Sequence, residues 1–303
     1  MTTSSEVSRG AIEAPSRWRA DATLGVVALI WGTTFVVVKS SLLQISAVYF
    51  LTLRFWIAAG CMAVLFARPF RLAGRKPVLA GLKGGAIAGI FLWSGYILQT
   101  FGLKYTSAGK SGFITGLYIV LVPLVGAAIY RKRPHLSEVV GILVATTGLV
   151  LLTIPSLTLR FNVGDLLTLG CAVAFAFHLL ILGHYSQRER YEAVALGQIL
   201  CAALLSTAAL LWEPACVTWS PNVVFGIVLT GVFATALAFW LQTWGQRYTS
   251  ATRTALIFAL EPVFALATAV AFGDEPVTKP GLAGAALILA GILVVELKPI
   301  GWR

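Results

Sequence analysis

The chain has 303 residues, of which 58% are hydrophobic and only 12% are charged, and its mean hydropathy is +0.86. A water-soluble domain carries about 25% charged residues, so a soluble surface is excluded. The net charge of +11 sits in short clusters between apolar runs, a pattern that orients membrane proteins and does not bind nucleic acid.

Residues 1–20 are polar and too poor in apolar side chains for a signal-peptide core, so they predict a disordered cytoplasmic tail. A hydrocarbon core about 30 Å thick needs roughly 20 apolar residues of helix. Stretches of that kind follow at 22–38, 46–67, 84–103, 109–130, 138–154, 165–184, 192–212, 222–244, 254–273 and 280–296. A closed barrel would require alternating apolar and polar residues, and runs such as GILVATTGLVLLT (141–153) do not alternate. The expected fold is therefore an all-α membrane protein with ten transmembrane helices.

Lysine and arginine orient the chain. With the N-terminus cytoplasmic, that side holds Arg9, Arg17, Arg19, the clusters Arg68–Lys83 and Arg131–Arg133, Arg188, Arg190, Arg247, Arg253, Lys298 and Arg303, seventeen in all. The other side holds five: Lys39, Lys104, Lys110, Arg160 and Lys279. The bias places both termini inside a cell (inner) membrane. Cys61, Cys171 and Cys201 lie in apolar runs and Cys216 stands alone, without disulfide or metal-ligand spacing. Neither a metal nor a cofactor is expected.

Gln99–Ala108 (QTFGLKYTSA) and Gln242–Ala251 (QTWGQRYTSA) stand 143 residues apart and share seven of ten residues. The same spacing pairs Lys110 with Arg253, Gly141 with Gly284 and Gly148 with Gly291. Five spans per copy is an odd number, so the second copy enters the membrane inverted. Inverted-topology repeats are characteristic of secondary transporters, with the substrate near the midplane between the halves. A duplicated scaffold without transport is the bland alternative.

Trp31–Phe35 (WGTTF), the segment TSAGKSGFITGLY at 106–118, and Ala259–Phe264 (ALEPVF) followed by FGDEP at 272–276 carry a resemblance. With the paired repeats, they resemble the EamA family of the drug/metabolite transporter superfamily, and most nearly its bacterial aromatic amino-acid exporter branch. The resemblance implies repeats at 21–155 and 164–298, alternating access and export of small metabolites. In the first copy Tyr118-Ile119 stands where the second has Glu261-Pro262, so a symmetric two-carboxylate site is not expected.

Ionisable groups inside a membrane default to functional hypotheses, and three lie clearly within the spans, away from their ends: Arg54, His178 and Glu261. Arg54 reads as a brace for backbone carbonyls freed at a helix break, or as a substrate contact. Glu261 reads as a proton-coupling group, with protons as a candidate partner, or as a cap for the kink at Pro262. His178 reads as a hydrogen-bonded core histidine or as a proton switch. Pro123 and Pro262 interrupt the corresponding fourth and ninth spans, and matched interrupted helices point to a binding site.

Aromatic and amide side chains complete the expected site. Trp31, Thr34, Trp93, Tyr96, Gln99, Tyr118, Phe239, Trp240 and Gln242 are candidate substrate-binding residues beside His178. Aromatic faces would take an apolar body or a cationic amine, and the amides would bond the polar end. Trp212, Trp219, Trp302 and Trp244 read as interfacial anchors, and Gly81, Gly85 and Gly89 as a helix-packing stripe.

The leading reading is an exporter of small metabolites, aromatic or neutral amino acids first, in contact with membrane lipid. A drug, sugar or nucleotide-sugar carrier is the runner-up. No phosphate-binding Gly-Lys-Ser/Thr loop with its upstream glycine is present, which argues against ATP-driven transport. A membrane-embedded enzyme would need a nucleophile–base pair or metal cluster that these spans do not offer.

Overall fold

The computed structural model describes residues 17–106, 108–131, 135–153, 161–272 and 278–296. Its regular elements are helices, apart from an isolated bridge between Ile45 and Val217. A bilayer offers no water to backbone N–H and C=O groups, so each helix must pair them internally. Hydroxyls within the helices follow the same rule: Thr34, Thr52 and Thr168 each donate to the carbonyl four residues earlier, at 2.7–2.8 Å.

In chain order the helices are α1 (Arg17–Ser41), α2 (Ala47–Ala73), α3 (Arg75–Gly102), α4 (Ala108–Gly116), α5 (Tyr118–Tyr130), α6 (Leu136–Thr153) and α7 (Val163–Arg188). Then come α8 (Tyr191–Ala209), α9 (Pro221–Gly231), a π-helical turn (Val232–Leu237), α10 (Ala238–Tyr248), α11 (Ala251–Phe258), α12 (Leu260–Phe272) and α13 (Lys279–Glu296). Among the described residues eight helical stretches are long and apolar enough to cross a membrane, and Lys279–Val295 is a shorter apolar helix. The protein is an all-helical, multi-pass membrane protein.

Three expectations need correction. First, Arg17–Ala20 belong to α1 and not to a tail; Ala20 is fully buried, and the Ala20–Leu24 turn lies against Gly245 of α10. Residues 1–16 lie outside the described residues, as does Trp302. Second, the expected eighth span contains the π turn, in which the Thr235 hydroxyl donates to the Thr230 carbonyl five residues earlier. Third, the interrupted helices break at Leu117 and Ala259, not at the prolines.

Pro123 lies inside α5 and Pro262 is the third residue of α12. Pro262 has no N–H for the Phe258 carbonyl, so the hydrogen-bond ladder fails one turn ahead of it; Ala259 N bonds back only to Leu256, at 3.1 Å. In the first copy Leu117 N likewise reaches only Ile114, at 3.2 Å, just after Gly116. Gly116 and Ala259 are 143 residues apart, so the breaks correspond although the prolines do not.

Glycines set the helix approaches. A Cβ placed on Gly81 would meet Ala193 Cβ at 2.6 Å, and one on Gly89 would meet the Gln198 carbonyl at 2.6 Å. With Gly85 between them, this stripe seats α3 on α8, as expected. On α6 and α13 the fit is reciprocal. Gly141 faces Gly291 and Gly148 faces Gly284, so close that a Cβ on any of them would stand 2.5–2.6 Å from the opposing carbonyl. The early glycine of one helix meets the late glycine of the other, so α6 and α13 cross antiparallel.

Candidate functional site

A cavity of about 570 Å³ opens among α1, α2, α3, α4, α5, α7, α10, α11 and α12. The aromatic rings form its middle. Trp31 on α1 lies 5.3 Å from Phe239 and 5.0 Å from Phe258, ring centre to ring centre. Tyr96 on α3 meets Phe55 and Phe175 edge-on, each at 5.6 Å. Gly32, beside Trp31, brings α1 against the backbone of α12: a Cβ there would stand 2.6 Å from the Glu261 carbonyl oxygen.

Arg54 is 4% exposed and is tied to the π turn. Its Nε donates to the Thr235 hydroxyl at 2.5 Å, and its Nη2 donates to the Ala234 carbonyl and to the Tyr96 hydroxyl, both at 3.2 Å. The indole of Trp31 donates to the same Ala234 carbonyl at 2.9 Å. The guanidinium also lies over the Tyr96 ring, 5.0 Å from its centre. Of the two readings of Arg54, this is the geometry of a brace: π turns release carbonyls from the regular ladder, and arginine answers one of them.

His178 and Gln242 are placed by a chain of amides. Gln198 donates to the Thr243 hydroxyl at 3.0 Å, so its Oε1 accepts from His178 Nε2, at 2.8 Å. Gln246 donates to the Leu179 carbonyl at 3.0 Å, so its Oε1 accepts from Gln242 Nε2, at 3.3 Å. Gln187 then donates to the carbonyls of Gln246 and Thr249, both at 3.2 Å. These amides tie α7, α8 and α10 together beyond Gln242, and Gln187, Gln198 and Gln246 do not line the cavity. Arg253 adds a two-pronged pair with Asp21, at 2.8 and 3.1 Å.

The opposite end is open. It is rimmed by the α1–α2 connection (Leu42, Leu43, Ile45, Ser46), by Lys104 after α3 and by Glu213 after α8. Lys104 pairs with Glu213, whose carboxylate also accepts the Val48 amide at 2.9 Å. Burial alone would raise the Glu213 carboxyl, but the Lys104 ammonium and the Val48 N–H outweigh it and hold it below its ordinary range. Ser46 N to Cys216 O and Thr218 N to Gln44 O, each 2.7 Å, staple the two rim connections.

Of the residues singled out from the sequence, Trp31, Thr34, Arg54, Tyr96, Gln99, Tyr118, His178, Phe239, Gln242 and Glu261 line this cavity. Trp93 and Trp240 do not. Both pack in the cluster between α2, α3 and α8, where Trp240 meets Phe66 edge-on at 6.0 Å. Helical spacing put them on the expected helices but could not tell a cavity wall from a packed seam. Trp212 and Trp219 are 77% and 58% exposed, as interfacial anchors would be.

Phe175, Phe258 and Thr115 were not singled out, yet they line the cavity. Phe258 precedes the Ala259 break, a signal that was available. Two further buried charges were also missed: Lys110 Nζ lies 2.6 Å from Asp165, whose carboxylate takes the Thr106 hydroxyl at 2.7 Å. Among the described residues no three His, Cys, Asp or Glu side chains cluster closely enough to hold a metal ion.

The sequence pattern of the EamA-like transporter family matches residues 18–154 and again 162–297. An Archaeoglobus fulgidus protein known only as an uncharacterized transporter is 37% identical over 290 residues, spanning 96% of this chain and 90% of its own. A probable amino-acid metabolite efflux pump of Escherichia coli is 26% identical, over 94% of this chain and 97% of its own. A crystal structure superposes with a TM-score of 0.80 at 21% identity, covering 93% of this chain and 98% of its own. That last likeness speaks for the fold alone.

Proposed function

We propose that this chain, which belongs to the EamA-like transporter family, exports small amphipathic metabolites, aromatic and neutral amino acids first. It does so by alternating access between two inverted five-helix repeats of ten transmembrane helices, at 21–155 and 164–298. The observation that carries the reading is a cavity walled by helices of both repeats, open at one end, with amides tying α7, α8 and α10 together beyond the other. Such a chamber suits a carrier holding its solute near the midplane.

The antiparallel α6–α13 crossing supports the inversion. Gly141 and Gly284 are repeat mates, as are Gly148 and Gly291, and each packs against the mate of the other. A two-fold axis generates that reciprocity, and for antiparallel helices the axis lies in the membrane plane. With both termini cytoplasmic in the cell membrane, the open rim faces outward. The name of the Escherichia coli relative supports amino acids as cargo, and the aromatic lining supports an apolar body. Glu261 and His178 are the groups at which protons could couple to the cycle.

Purified protein in liposomes loaded with labelled phenylalanine should accelerate efflux saturably, and Trp31→Ala and Tyr96→Ala should slow it without loss of folded protein. Absence of saturable flux for any amino acid refutes the substrate class. Labelling that puts the two termini in different compartments refutes the topology.

A further inference from the structure

Several of the cavity's hydrogen-bonding groups are engaged by the protein itself, and two of its acceptors are not. The Trp31 indole N–H is taken by Ala234 O, and Gln99 Nε2 by the Thr115 hydroxyl at 3.2 Å. Three of the five Arg54 N–H groups are bound to Thr235, Ala234 and Tyr96. Acceptors remain. The amide chain that ends on the Leu179 carbonyl fixes Gln242 with its Nε2 toward Gln246. Its Oε1 is thereby left buried with no partner, in a residue 1% exposed.

Glu261 lines the same cavity, and among the described residues its carboxylate has no hydrogen bond and no ion pair. The Gly32 contact sets its backbone against α1 at the residue after Trp31, and the rings of Trp31 and Phe258, which meet edge-on, line the same cavity. An unpartnered buried acceptor costs about 1–3 kcal/mol until a donor arrives. A carboxylate beside aromatic faces is an environment that a cation satisfies twice, by charge and by the rings.

We infer that Glu261 and Gln242, in the cavity that Trp31 and Phe258 also line, form a subsite for an alkylammonium group, so that the ligand class is the monocationic amine with an apolar body. An amino acid would enter this class through its ammonium, and a carboxylate on the ligand is dispensable. The inference rests on reading the cavity as the substrate site.

The test is calorimetric titration of the purified protein in detergent with 2-phenylethylamine, phenylalanine and 3-phenylpropionate, which share a ring and differ in charge. The amine should bind at least about tenfold more tightly than the carboxylate, the scale of one charge-assisted hydrogen bond. Glu261→Gln should weaken the amine about tenfold or more, Glu261→Asp less, and Gln242→Met by a few-fold. Phenylpropionate binding as tightly as the amine overturns the inference, as does amine affinity unchanged in a folded Glu261→Gln protein. Should that variant fail to fold, the wild-type ligand pair and Gln242→Met still decide. Micellar binding needs no flux, so amine binding without liposome efflux refutes the transport reading alone. Phenylalanine efflux with no preference for the amine refutes this inference alone.

Discussion

Arg54→Met separates bracing from substrate contact. The substitution removes three hydrogen bonds from a side chain that is 4% exposed. Two of the partners are not orphaned: Ala234 O keeps the Trp31 indole, and the Thr235 hydroxyl keeps its own bond to Thr230. Only the Tyr96 hydroxyl is left without a partner among the described residues. Hydrogen bonds to a charged group contribute about 1.5–3 kcal/mol each, and one orphaned buried group costs about 1–3 kcal/mol. Those losses are offset in large part because removing the buried charge returns its desolvation cost and methionine refills most of the volume, so the net loss should be about 2–3 kcal/mol, or roughly 5–10 °C of melting temperature for a chain of this size. Arg54→Lys should lose about half of that, since one ammonium can reach Thr235 or Tyr96 but cannot span both. The assay is thermal unfolding in detergent, read as the monodisperse fraction by size exclusion, beside phenylalanine binding. A variant that melts within about 2 °C of wild type yet loses all phenylalanine binding would refute the brace and make Arg54 a substrate contact.

Gly148→Ala should destabilise the protein by about 2–3 kcal/mol, the upper range for overpacking. Its Cβ would stand 2.5 Å from the Gly284 carbonyl and 2.8 Å from Ile288 N, and backbone yields less readily than side chain. Gly284→Ala, whose Cβ would stand 2.5 Å from the Gly148 carbonyl, should match it, and a double variant that adds nothing to either single change would confirm one shared contact. At the rim, Glu213→Gln should accelerate cysteine labelling at Cys216, which is exposed and stapled to Ser46. In the wild type, a carboxyl held below its ordinary range contributes stability above that range and loses it as pH falls through its folded value. The ratio of Cys216 labelling in the folded protein to that in the unfolded chain at the same pH, which cancels thiol ionisation, should therefore be constant from pH 8 to about 5 and rise only below about pH 4. A rise near neutrality would assign the rim to another group.

The apolar runs located the helices because length and hydropathy alone decide what a bilayer accepts. The Ala259 break is local, one turn ahead of Pro262, whereas the boundaries and the π turn follow from tertiary contacts that no local pattern carries. The π turn at Val232–Leu237 exists where Arg54 and Trp31, both far away in sequence, converge on Ala234. Glycine spacing gave the α3–α8 seam because small residues act by position on a helix face. Aromatic spacing failed for Trp93 and Trp240 because helical period gives the face of a residue but not what lies opposite it. Asp165 was overlooked because it sits at a helix start, capped by Asn162, where a sequence reading expects a solvated acid.

The repeat and the cavity make different demands on the same positions. Framework devices recur at the 143-residue spacing: the breaks at Gly116 and Ala259, the crossing glycines, and the bases Lys110 and Arg253, each paired with an acid near the start of α7 or α1. The cavity's ionisable side chains do not. Glu261 is matched by Tyr118, His178 by Phe35 and Arg54 by Gly197. At Gly197 a Cβ would stand 2.5 Å from the Leu82 carbonyl, so any larger residue there would separate α3 from α8. The frame can therefore be near-symmetric, as rocking between two equivalent states requires, while the chamber carries one carboxylate, one imidazole and one guanidinium. With Arg54 engaged as a brace, Glu261 and Gln242, both on the second repeat, would hold a ligand in a single orientation, its charged end fixed there and its apolar body free to be released by the first repeat.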